Sequence, residues 1–126
     1  MDRIQIIKGW VDLNGDVNEK IVDVVWSGDR KIDRRTGKLS PVGNTVDMST
    51  AKFANDIGAP VLMSAWTDED FDPQDHAFYY ARAIEIPTPR WSTYDAVRSS
   101  RPLLDDVPAT IQERAWGSPI WYAPAQ

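Results

Sequence analysis

The Asn14-Gly15 pair, set between two alternating apolar runs, constrains this chain more than any other feature. Both residues tolerate positive φ, and the pair is therefore a strong local signal for a hairpin. Before it, Ile4 to Val11 alternates, with Ile4, Ile6 and Trp10 on one face and Lys8 interrupting that face. After it, Lys20 to Ser27 places Val22, Val24 and Trp26 on one face and Ile21 and Val25 on the other. The two runs are predicted to pair antiparallel.

The same alternation recurs downstream. Ala77 to Ile86 is the clearest strand, with Phe78, Tyr80, Ile84 and Ile86 on one side, and Pro87 and Pro89 end it. Val61 to Thr67 also alternates and is predicted to be a strand, as is the shorter Val42 to Met48. Ile111 to Tyr122 is strand-like but broken at Gly117-Ser118-Pro119, which points to an edge or a bulge. Gly28 to Gly37 is polar and charged and reads as an exposed loop. Residues 50 to 54 suit one helical turn. Ser92 to Arg98 suits a short helix, with Ser92 or Thr93 as N-cap and Asp95 near the positive end of its dipole. Several strands and one or two short helices separated by polar loops predict an all-β fold, an antiparallel sandwich of the immunoglobulin or fibronectin kind, as one domain over residues 1–126. Trp66, Phe78, Tyr80 and Ile84 are expected in its core.

Composition narrows the chemistry. At 126 residues with 42% hydrophobic content, the chain suits one folded domain. Its net charge of −5 disfavours nucleic acid and an anionic membrane surface as partners. The first 60 residues balance; the excess lies downstream, much of it in Asp68, Glu69, Asp70, Asp72 and Asp75. Cys is absent and His occurs once, so disulfides, thiolate metal sites and multi-histidine centres are excluded.

Few constellations are left. The Asp68–Asp75 loop offers carboxylates to a calcium ion, but in no recognised loop spacing. Asp12, Asn14, Asp16, Asn18 and Asp23 approximate an EF-hand loop, yet the glycine stands too early and a hairpin accounts for the same residues. His76 lies between the acidic loop and the clearest strand with no nucleophile near it in sequence, and is expected at the surface. Trp10, Trp26, Trp66 and Trp116 fall on strand patterns and are expected inside. Trp91 and Trp121 are harder to bury, and an aromatic platform for a carbohydrate is one use for them. Arg90 and Trp91 follow the Ala77–Ile86 strand between Pro89 and the short helix. There a guanidinium fork and an indole suit either an anionic substrate or an interdomain contact. The alternative is that Arg90 pairs with Asp95 and Trp91 plugs the end of the sandwich. No catalytic or metal-ligating residue is identified.

Two stretches carry a resemblance. The run from Trp66 to Pro73, continuing through Ala77 to Arg82 and Glu85-Ile86-Pro87-Thr88-Pro89-Arg90-Trp91-Ser92-Thr93-Tyr94-Asp95-Ala96, and the closing Ala109 to Tyr122 resemble the C-terminal end of a bacterial family known as domain of unknown function 3604. The opening Ile4 to Trp10 is similar to the same region. The resemblance implies a longer parent whose N-terminal part is similar to the polymerase-and-histidinol-phosphatase class of metal-dependent hydrolases. It implies that this chain is a C-terminal accessory domain, that its partner is the catalytic domain, and that any divalent metal belongs there, with no cofactor here. It further implies export, to the periplasm or beyond. A domain separated from such a partner would expose an apolar patch prone to homodimer formation. The other reading is a stand-alone β-sandwich module that binds a carbohydrate or a peptide.

Overall fold

The computed structural model describes residues 1–125. The chain is all-β and sandwich-like, with antiparallel sheets and one short helix. β1 (Arg3–Val11) and β2 (Val17–Trp26) form the predicted hairpin. Asp12 Oδ1 accepts the Asn14 and Asp16 backbone N–H groups at 2.9 and 3.0 Å, and Gly15 supplies the one left-handed turn residue at φ +85°. Of the side chains that resembled an EF-hand loop, Asp12 caps this turn, whereas Asn18 and Asp23 lie within β2, where Asp23 accepts from Gln5.

β3 (His76–Ile84) pairs with the other side of β1 along its full length. Beyond the helix come β4 (Thr88–Pro89) and β5 (Thr110–Ile111), which form a separate two-stranded ribbon. β6 (Arg114–Trp116) and β7 (Ile120–Tyr122) lie end to end along the free edge of β3. Gly117-Ser118-Pro119 separates them, with Gly117 N–H donating to Ala81 O at 2.8 Å. The main sheet runs β2-β1-β3, then β6 and β7. Outside the β1–β2 hairpin, the pairings of the main sheet join residues distant in sequence.

The helix α1 (Trp91–Arg98) starts earlier than expected. Its N-cap is Arg90, in extended conformation and without a side-chain cap bond, and Ser92 and Thr93 lie inside the first turn. The Thr93 hydroxyl instead donates to Ala109 O at 2.6 Å, tying the helix to the segment that leads into β5. Asp95 is beyond the first turn.

Three expected elements differ. Val61 to Thr67 forms no strand. Both sides of β1 and β3 are already paired, and this segment instead crosses a face of the sheet, where Asp68 reaches Lys8 and Tyr79. Val42 to Met48 contributes only the Asp47–Lys52 bridge, and residues 50–54 form a turn with no helix. Arg30 is not a free loop residue. Its guanidinium donates to Asp2 Oδ1 at 2.6 Å, and to the carbonyls of Asp2, Ser27 and Ser40 at 3.0 Å.

The buried apolar set is small: Ile7, Leu39, Ala51, Ala77, Ile84, Ile86 and Ala96. Of the expected core, Ile84 is buried, whereas Trp66, Phe78 and Tyr80 are half-buried. Polar groups fill the gap. Asp2, 1% exposed, accepts from Arg30 and from Gln112 Nε2 at 2.9 Å, and Arg3 lies 3.2 Å away. This carboxylate joins the start of β1, the loop after β2 and the link between β5 and β6. A buried charge survives only when paired and hydrogen-bonded, as here.

Candidate functional site

The register of the main sheet decides what its two faces carry. Ile7 is opposite Ile21 and Tyr80, Gly9 is opposite Phe78, and Phe78 is opposite Trp121. Val11 is opposite Val17 on one side and His76 on the other. Side chains alternate along a strand, so these residues share one face. Much of that face is uncovered: Val17 is 84% exposed, Trp121 73% and Ile21 48%. Trp116, opposite Arg82 on the same face, is 60% exposed, contrary to the expectation that it is internal. Phe78 stacks on Tyr80, with ring centroids 6.3 Å apart, and meets Trp121 at 5.2 Å. A polar row crosses the sheet beside them, where Gln5 donates to Asp23 at 2.7 Å and accepts from Arg82 at 2.6 Å.

The opposite face is organised by a buried charge. Lys8, whose side chain is 3% exposed, ion-pairs with Asp68 at 2.6 Å. Tyr79, the cross-strand neighbour of Lys8, donates its hydroxyl to the same carboxylate at 2.8 Å. Burial pushes the Asp68 carboxyl up, but the hydrogen bonds from Lys8 and Tyr79 outweigh it and hold it below the usual Asp range. Burial, reinforced by the bond to Asp68, pushes the Tyr79 phenol well above its ordinary value. The acidic loop is thus only partly a solvated surface.

Arg90 and Trp91 separate. Arg90 lines a cavity of about 570 Å³ at the β4–β5 ribbon, together with Thr110, Gln112, Glu113, Arg114 and Trp116. Trp91 is 68% exposed and borders a different hollow, beside Asp95 and Arg101. Among the described residues, neither Arg90 nor Arg114 forms an ion pair, and Asp95 is not joined to Arg90. The aromatic ring that shares a cavity with Arg90 is therefore that of Trp116, and a second guanidinium accompanies it. Residue spacing held no signal for this, because Arg114 and Trp116 reach the ribbon only through the β5–β6 link.

His76 opens β3 and is exposed. It borders a hollow of about 330 Å³ with Val11, Val17, Phe78 and Trp121. Among the described residues, no three His, Asp or Glu side chains come together in a way that could hold a metal ion. No helix of the described residues is long and apolar enough to cross a membrane.

The fold and these surfaces define a β-rich module with one partly uncovered sheet face and an arginine-lined cavity at its edge. The chain belongs to the family described as protein of unknown function DUF3604, whose profile matches residues 1–124. No curated protein and no solved structure matches it.

Proposed function

We propose that this chain is a non-catalytic accessory domain that packs on the catalytic domain of a metal-dependent hydrolase and forms one edge of its substrate cleft. The uncovered face bearing Val17, Ile21, Trp116 and Trp121 carries the proposal. Large apolar side chains exposed on one face, next to a buried apolar set of seven residues of which three are alanine, call for a protein partner. The divalent metal of such a hydrolase would be held by its catalytic domain, because the residues present here do not fit one. The Arg90, Arg114 and Trp116 cavity lies at the end of the same sheet and would meet either an anionic group of the substrate or a carboxylate across the interface.

The test is co-expression of this chain with the hydrolase-like N-terminal portion of a longer family member. A stoichiometric complex that dissociates with Val17→Asp plus Trp121→Asp is expected. A complex indifferent to both substitutions, or a stable homodimer of the chain through this face in place of the complex, would overturn the proposal.

A further inference from the structure

We propose that the aromatic hollow on the opposite, Lys8-bearing face binds an N-methylated ammonium group. The hollow has a volume of about 470 Å³, and its walls include the rings of Trp66, Phe71, Tyr79, Trp121 and Tyr122. Trp66 and Tyr79 have centroids 6.2 Å apart and planes inclined at 55°. Phe71 and Tyr122 meet edge to face at 4.9 Å. Several aromatic rings thus gather around one space, and the negative π faces of such rings attract a cation.

The surrounding charge has the same sign. Asp68 and Asp70, in the loop that forms one wall, are neutralised by Lys8 and Lys20 respectively. Glu69, Asp72 and Asp75 have no cationic partner among the described residues. The protein already places one ammonium in this environment: Lys8 Nζ lies 4.8 Å from the Trp10 ring centroid and 5.8 Å from that of Tyr79.

Hydrogen bonding selects against sugars. Asp68 accepts from Lys8, from the Tyr79 hydroxyl and from the Asp70 backbone. The Tyr122 hydroxyl donates to Pro73 O at 3.0 Å. The main polar groups of the hollow are thus occupied. A sugar would find the Tyr79 and Tyr122 hydroxyl donors already engaged, whereas an N-methylated ammonium needs only π faces and a negative field. The hollow opens mainly on the other face of the sheet from the accessory surface, and Trp121, at the edge of the sheet, borders both.

The experiment is titration of the whole chain, followed by tryptophan fluorescence, with tetramethylammonium chloride, with its neutral analogue tert-butanol and with glucose, at constant ionic strength. Saturable binding of tetramethylammonium, about tenfold tighter than tert-butanol, is expected. Phe71→Leu, at a partly exposed position, should keep the fold by circular dichroism and weaken the cation several-fold. Equal binding of cation and neutral analogue, preference for glucose, no saturable binding by the folded chain, or an unaltered affinity in Phe71→Leu would each overturn the proposal. Val17 does not line this hollow, so Val17→Asp alone tests the complex of the preceding section while leaving this site intact.

Discussion

The Phe78 ring lies against Gly9, its direct partner across β1 and β3, so closely that a methyl group at residue 9 would come within 2.6 Å of ring carbon Cε1. Glycine is required here for want of space. The ring in turn stacks on Tyr80 and touches Trp121, so the position of Gly9 sets the aromatic row on the uncovered face. Gly9→Ala should destabilise the chain by about 1–3 kcal/mol, the usual cost of overpacking. The denaturant midpoint reports it, and the double variant Gly9→Ala/Phe78→Leu should recover part of the loss. An unchanged midpoint in the single variant would contradict the close approach.

The Lys8–Asp68 pair should behave as a buried ion pair. Lys8→Ala or Asp68→Ala alone should cost about 3–5 kcal/mol, because each leaves a charge without its partner. The double variant should cost less than the two singles combined, a coupling that equilibrium unfolding of all four proteins measures.

Acid stability follows from the same carboxylate. Its folded pKa is depressed, so it contributes stability that is fully present above the ordinary Asp value of about 4 and is lost as pH falls through the folded value. Asp33 and Asp47 are depressed as well, the first chiefly by the Thr36 backbone N–H and the second chiefly by the Ser49 hydroxyl. The wild-type midpoint should therefore drop below about pH 4, and Asp68→Asn should show a shallower drop. Identical pH profiles would contradict a depressed Asp68.

Tyr79 should resist ionisation. Its folded pKa is raised, so the phenol remains protonated as pH climbs past the ordinary Tyr value of about 10, and it favours the folded state below that value. The difference in ultraviolet phenolate titration between wild type and Tyr79→Phe should appear only at strongly alkaline pH. A difference signal in the ordinary tyrosine range would mean that the bond to Asp68 is absent in solution.

On the accessory role proposed above, Arg90→Ala in a longer family member that carries the hydrolase-like portion should raise KM or lower kcat while leaving Tm nearly unchanged, since among the described residues Arg90 forms no ion pair. Arg114→Ala should act in the same direction. Reduced Tm with unaltered kinetics would assign Arg90 to the structure of the domain alone.

The strand pattern alone was enough to identify the β1–β2 hairpin, the body of β3 and the break between β6 and β7, because each rests on period-two alternation or on a backbone constraint of Gly or Pro; the end of β3 was not, since it stops at Ile84 and Pro89 lies in β4. Lys8 visibly interrupts an apolar face in the sequence, but its partner is not legible there. Asp68 is 60 residues away and arrives only because the segment before it crosses the sheet face. Only the tertiary structure decided that Val61–Thr67 forms no strand, that Arg30 leaves its loop to hold Asp2, and that Arg90 shares its cavity with Arg114 and Trp116 while Trp91 stands apart. Alternation states which residues may face one way. It cannot state which face remains uncovered, because coverage depends on packing between segments distant along the chain.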